Sequence, residues 1–295
     1  MMELKGRVYY CDALKQAGIE VNLGDYRALS DEELFEGLSG LDVSLNVESF
    51  ESLADTYSDP EEVVEALVPK EPDLMKRALV YLLVFEMWRR FAKEQKNLSI
   101  FCDELDYTIA LFYEEQLGNE EYLQGLLSKL EGVLEGTVDA KADPKQAFRA
   151  INLFFTLPLE VFLYDYIIYQ LDEGSSTYAS ELIDGFYPYL DDPRWFDLLR
   201  VKMAGDLDIL YGHFLESLMD DPEFELCIET IHYLIAMGEP QEVAKVVEVA
   251  FLQMETEEDV QELFEILNHY LPSLSKGDAA IVLKALPKQF QELFT

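Results

Sequence analysis

Apolar residues in this chain recur three and four positions apart far more often than two. Val243, Val246, Val247, Ala250 and Met254 form one such stripe, and Val260, Leu263, Phe264, Leu267 and Leu271 repeat its offsets in the next segment. That period lines one face of an α-helix. Segments starting near 98, 119, 144, 158, 175, 193, 206, 222, 240, 256 and 275 read the same way. The two segments joined at ETEED (255–259) predict an antiparallel hairpin, because adjacent amphipathic helices bury their stripes most directly against each other. Strand-like alternation is scarce, and its best instance is LDVSLNV (41–47), between helical neighbours.

The helix starts carry their own signals. Six of the 11 prolines follow an acidic residue: Asp59-Pro60, Glu71-Pro72, Asp143-Pro144, Asp192-Pro193, Asp221-Pro222 and Glu239-Pro240. The residue before proline is pushed out of the α region, as an N-cap must be, and a proline at the first helical position loses only an amide that has no helical partner there. Ser30 with Glu33, Thr256 with Asp259 and Ser275 with Asp278 have capping-box spacing. The echo between DDPRWF (191–196) and DDPEFE (220–225) is therefore shared helix punctuation, and the acid-proline pairs show no fixed period.

A dozen or more helices of ordinary length with short connections predict an all-α chain: an irregular α-solenoid of stacked antiparallel helix pairs, HEAT-like or tetratricopeptide-like in architecture. The fixed period and signature residues of those families are missing, so the expectation concerns architecture and not membership. The stretch EGTVDAKADP (135–144) interrupts the stripes. It separates an N-terminal helical part, 1–140, from a C-terminal helical-repeat part, 141–295, either as a joint in one continuous stack or as a boundary between two domains.

Composition narrows the function. With 22 Lys+Arg against 59 Asp+Glu the net charge is −37, which sets the chain against direct binding of a phosphate backbone. Cys11, Cys102 and Cys227 are far apart and lack metal-knuckle spacing, and the first residues, MMELKGRVYYCDALKQ, have no apolar run of the export type. A cytoplasmic protein is expected. The most lipid-like stretch, 151–169, contains Pro158, Glu160 and Asp165, which argues against a membrane span. Phosphate-loop, dinucleotide, nucleophile-elbow and zinc-protease motifs are missing, so no cofactor and no catalytic residue is assigned and a non-enzymatic role is expected.

Charge and aromatics are segregated along the chain. From Ala150 to Pro193 there are eight acids, ten aromatics and no Lys or Arg, and from Met203 to Ala244 ten acids and again no Lys or Arg. Such a surface predicts an interaction module (adaptor, chaperone or inhibitor) that binds a basic protein or peptide, with carboxylates steering and tyrosine faces offering cation–π contacts. The residues expected to carry it are Tyr164, Asp165, Tyr166, Tyr169, Asp172, Glu173, Tyr187, Tyr189, Asp206, Asp208 and Tyr211. Opposed to them is one basic island, 70–96, with Arg89, Arg90, Lys93 and Lys96 as its patch. This island either docks within the chain or joins a second copy through the basic helix 72–96. Aromatics at helical spacing also fit an ordinary core.

Two alternatives belong to other classes. Glu229 and His232, three apart, form half of a carboxylate-bridged metal motif, as a metal-binding helical enzyme would use, but the second copy such sites need is missing and no metal is assigned. A DNA-mimic inhibitor of a DNA-binding protein would display carboxylates at phosphate-like spacing. The run CDELDYTIALFYEE (102–115) crowds five carboxylates into about three turns and reads as a solvated face.

Overall fold

Each of these stripes forms a helix in the computed structural model, which describes residues 6–19, 23–69, 74–95, 97–139, 142–205 and 209–291, and no strand occurs among them. The helices fall into two compact units, residues 1–162 and 163–295. Residues 140 and 141, at the expected joint, lie outside the described residues.

The first unit contains α1 (Gly6–Gln16), α2 (Leu23–Ala28), α3 (Asp31–Gly40), α4 (Val47–Thr56), α5 (Pro60–Leu67), α6 (Leu74–Phe91), α7 (Leu98–Tyr113), α8 (Glu120–Asp139) and α9 (Pro144–Asn152), and α10 (Leu159–Asp172) begins in it. Helix α6 is its hub: α1 to α5 all pack on it. The sequence favours this role, because every residue from Val80 to Trp88 is buried and all but Glu86 are apolar or aromatic, and a helix buried around its whole circumference needs neighbours on all sides. Tyr10 of α1 stacks on Tyr81 with centroids 4.1 Å apart, and Phe50 of α4 meets Trp88 edge-on at 6.4 Å. Gly6 begins α1 at φ 56°, and a Cβ there would lie 3.0 Å from the Phe154 ring, so only glycine lets α1 start this close.

The second unit continues with α11 (Ser176–Phe186), a 3-10 turn (Tyr187–Tyr189), α12 (Arg194–Ala204), α13 (Ile209–Asp220), α14 (Phe224–Met237), α15 (Pro240–Gln253), α16 (Glu257–Tyr270), a second 3-10 turn (Leu271–Ser273), α17 (Lys276–Lys284) and α18 (Lys288–Gln291). Sequence neighbours pair (α11 with α12, α12 with α13, α14 with α15), and next-but-one helices stack (α12 on α14, α14 on α16, α15 on α17). This is the neighbour-on-neighbour packing of an all-α helical-repeat fold. The expected hairpin of α15 with α16 exists, but α15 packs mainly on α14 and α17. Its stripe, Val243, Val246, Val247 and Ala250, meets in α14 a longer buried face, from Phe224 to Leu234, than the Leu263, Leu267 and Tyr270 of α16.

Local chemistry sets the starts. Ser30, Asn46 and Thr256 complete capping boxes, and Asp59, Asn97, Asp143 and Ser275 accept from the amide three residues on. Pro60, Pro144 and Pro240 sit in the first turn as expected. The DDP echo does not follow that rule. Pro193 is itself the N-cap of α12, and after Pro222 the N-cap of α14 is Glu223. At the first of these sites the Asp192 carboxylate accepts from the Arg194 backbone N–H (3.0 Å) and from its guanidinium, which shifts the start onward. Glu71-Pro72 lies outside the described residues.

Residues 41–47 are not a strand. Leu41 caps α3, Asp42 turns the chain at φ 59°, and the Val43 N–H returns to the Leu38 carbonyl, so the alternating apolar residues tuck into the core from a connection. Trp88→Ala empties the hub opposite Phe50 and is expected to lower the unfolding free energy by about 3–5 kcal/mol, measured by chemical denaturation.

Candidate functional site

The carboxylates of 102–115 are not the solvated face that their density suggests. Asp103 and Asp106 are 4% and 6% exposed, because α7 turns them toward two arginines distant in sequence. Arg7 Nε lies 2.7 Å from Asp103 Oδ1 and its Nη2 2.7 Å from Asp106 Oδ2, while Arg27 Nη2 reaches Asp103 Oδ2 at 2.7 Å. The Arg7 Nε contact is an ion pair by proximity and not an aligned hydrogen bond, since Asp103 Oδ1 has no hydrogen-bond partner. Thr156 donates to Asp106 through its N–H (2.9 Å) and its hydroxyl (2.8 Å). Arg27 also pairs with Glu104 at 3.1 Å and lies 3.9 Å over the Tyr107 ring. Burial pushes the Asp103 carboxyl above its ordinary value, against the opposing pull of Arg7 and Arg27. A cavity of about 20 Å³ beside these groups, bordered by Arg7, Arg27, Glu86 and Asp103, is the size of one water and too small for a substrate. The cluster fastens α1 and α2 to α7.

The basic island turns inward in the same unit. Arg89 and Arg90 both bond the buried Glu86 (Nη2 and Nε to Oε1, 2.7 Å each), and Arg90 also reaches Asp31 at 2.8 Å. Arg77 pairs with Glu65 and Lys76 with Asp42. Lys93 is exposed, and Lys96 lies outside the described residues. The arginines of the expected patch are thus committed within their own unit.

Glu61, at the start of α5, accepts from the Tyr81 hydroxyl at 2.8 Å and the Ser99 hydroxyl at 3.0 Å through one oxygen, while its other oxygen is buried without a hydrogen-bond partner. Burial raises its pKa above the ordinary 4.5.

The acidic, aromatic surface expected between 150 and 244 divides into core and exterior. Tyr166, Tyr189 and Tyr211 are buried, so their ring faces are used in the core and not offered outward. Tyr164 and Tyr187 are half-buried and Tyr169 is 37% exposed. Asp172 and Glu173 are exposed and Asp165 half-buried, while Asp206 and Asp208 lie outside the described residues. Three of these phenols donate to carboxylates of the same unit: Tyr164 to Glu229 (3.3 Å), Tyr187 to Asp197 (3.0 Å) and Tyr211 to Glu242 (3.1 Å). Burial, reinforced by those carboxylates, raises all three phenol pKa values, so none is poised to lose a proton.

Every lysine and arginine from 194 to 245 is held by a carboxylate of its own unit. Arg194 engages Asp192, with Asp221 at 3.7 Å and Glu223 at 3.8 Å. Arg200 pairs with Asp184 at 2.8 Å and lies 4.2 Å over the Tyr187 ring. Lys202 lies 3.0 Å from Glu229 and 3.1 Å from the Tyr164 hydroxyl, and Lys245 2.7 Å from Glu242. Asp172, Glu173, Glu181, Asp220, Asp221 and Glu225 remain exposed around them.

Glu229 is therefore engaged by Lys202 and Tyr164, while His232, its partner in the half-motif, is exposed. No group of three or more His, Cys, Asp or Glu with metal-binding geometry occurs among the described residues. Burial pushes the Cys11 thiol up to about 11, and Cys102 and Cys227 are buried, so none is a ready thiolate. No helix among the described residues is long and apolar enough to cross a membrane. Comparison with protein-family models, curated proteins and solved structures finds no match to the chain.

Two predictions concern these charges. Arg7→Met removes the cation from buried Asp106 and one of the two cations from buried Asp103, and is expected to cost about 3–5 kcal/mol in denaturant unfolding, more than Arg7→Met combined with Asp103→Asn. Because the folded-state pKa of Glu61 is raised, its contribution to stability is full below 4.5 and is lost as pH rises through the folded value. Glu61→Gln removes that loss, so its stability relative to the parent rises as pH climbs above 4.5; urea unfolding as a function of pH checks it.

Proposed function

We propose that this chain is a non-enzymatic interaction module whose second unit binds a basic protein or peptide on an acidic, tyrosine-bearing surface. One observation carries the reading. From 150 to 244 the chain has three cations, Arg194, Arg200 and Lys202, each paired with a carboxylate of the same unit, while Asp172, Glu173, Glu181, Asp220, Asp221 and Glu225 stay exposed. Exposed carboxylates that outnumber the cations beside them give a predominantly negative field, which steers an oppositely charged partner and disfavours a like-charged one. Tyr169, with the edges of Tyr164 and Tyr187, supplies aromatic surface at which lysine or arginine can settle once steered there. A role as adaptor, chaperone or inhibitor in the cytoplasm accords with this field and with three unpaired cysteines.

A lysine- or arginine-rich peptide of about a dozen residues is expected to bind measurably by calorimetry at about 50 mM salt and at least tenfold more weakly at about 500 mM, as the Debye length shrinks. Absence of binding at both salt concentrations contradicts the proposal.

A further inference from the structure

In the first unit, the end of α7 meets the start of α10. The ring of Tyr113, the last residue of α7, stands 6.3 Å from that of the buried Phe162 in the first turn of α10. Three large apolar side chains stay in water around this junction: Tyr113 is 40% exposed, Leu157 45% and Val161 51%. Leu157 and Val161, four apart, flank the first residue of α10. Scattered apolar residues are ordinary on a surface, but a group of them with a charged rim marks a place where another molecule settles.

The rim departs from local rules. Glu114 and Glu115 are exposed at the C-terminus of α7, where the helix dipole favours cations and opposes carboxylates. Glu115 also holds φ 56°, the left-handed position after a helix that glycine fills without steric cost. Neither chain segment supplies a compensating charge, since Lys and Arg are missing from Asn97 to Ser128 and from Ala150 to Pro193. Choices that cost local stability are expected at sites that use them.

We infer that this patch docks an amphipathic helix of a partner protein, one whose apolar stripe is flanked by lysine or arginine. Charge complementarity selects the occupant. The stripe covers Tyr113, Leu157 and Val161, and the flanking cations meet Glu114 and Glu115, where carboxylates and helix dipole both attract them. A second copy of this chain, at net charge −37, would bring mostly like charge to that rim. The surface is distinct from the one proposed on the second unit, and apolar contact contributes to it beside charge.

Two peptides of equal length, composition and charge test this by calorimetry on the full chain at about 150 mM salt. One has leucines at i, i+3, i+4 and i+7 among lysines, and the other has the same residues without a stripe. The striped peptide is expected to bind about tenfold more tightly, and Leu157→Gln with Val161→Gln to abolish that preference while leaving the unstriped peptide within about twofold. Leu252→Gln changes a side chain that is 73% exposed in the second unit and is expected to leave the preference intact. Glu115→Gly is expected to raise the melting temperature by about 2 °C yet weaken the striped peptide about threefold. If the parent shows no preference, if Leu157→Gln with Val161→Gln keeps it, or if Leu252→Gln loses it equally, the inference is overturned; an unchanged striped-peptide affinity in Glu115→Gly contradicts the choice of a basic partner. Should the double variant fail to fold, Val161→Gln alone is read in the same way. Equal binding of both peptides sinks the patch and leaves the acidic surface of the second unit standing, whereas binding of the striped peptide alone does the reverse.

Discussion

The scarcity of positive charge is the constraint on which the rest of the structure depends. With 22 lysines and arginines for 59 acids, each carboxylate that folding takes out of water draws on a small pool of cations. A buried carboxylate without a partner costs several kcal/mol, so the interior takes precedence. In the first unit Asp103 and Asp106 draw in Arg7 and Arg27, and Glu86 draws in Arg89 and Arg90. In the second unit the partly exposed Glu229 and Asp192 pair with Lys202 and Arg194 in the same way. These pairs draw on a small pool of cations and leave few, such as Lys93 and Lys245, exposed among the surface acids. Fold and surface field are two consequences of one imbalance.

Periodicity made the helices legible and left their partners hidden. The stripes placed the starts of α7, α9, α15 and the other later helices within a few residues, because a 3.6-residue pattern and a cap are local facts. Residues 41–47 misled because a connection that plants Leu41, Val43 and Leu45 against a core alternates just as a strand does. Asp103 and Asp106 looked solvated since the arginines that neutralise them lie 76 and 99 residues away, a distance no local pattern spans. One weak signal existed: within 102–115, Asp103 and Asp106 share a helix face with Cys102, Leu105 and Ile109, all of them buried. The tyrosines were half legible. Their helical spacing announced a core, which claimed Tyr166, Tyr189 and Tyr211, while Tyr164, Tyr169 and Tyr187 stayed within reach of solvent.

The phenols connect packing to charge. Tyr164, Tyr187 and Tyr211 each bury a ring and hand the hydroxyl to a carboxylate, and Lys202 and Arg200 lie over two of those rings. The second unit therefore already uses, for its own cohesion, the contacts that a cationic partner would seek. Acid–base chemistry finds less support there, since burial and adjacent carboxylates keep these phenols protonated.

Thermal unfolding at neutral pH as a function of added sodium chloride tests this division of charge most directly. Buried pairs are shielded from salt, whereas repulsion among exposed carboxylates is screened by it. If the cations are committed inside and the exterior is self-repelling, the melting temperature rises steadily from about 10 mM to about 500 mM salt. A melting temperature that falls over that range would mean that solvent-exposed ion pairs hold the fold together, and would contradict the account.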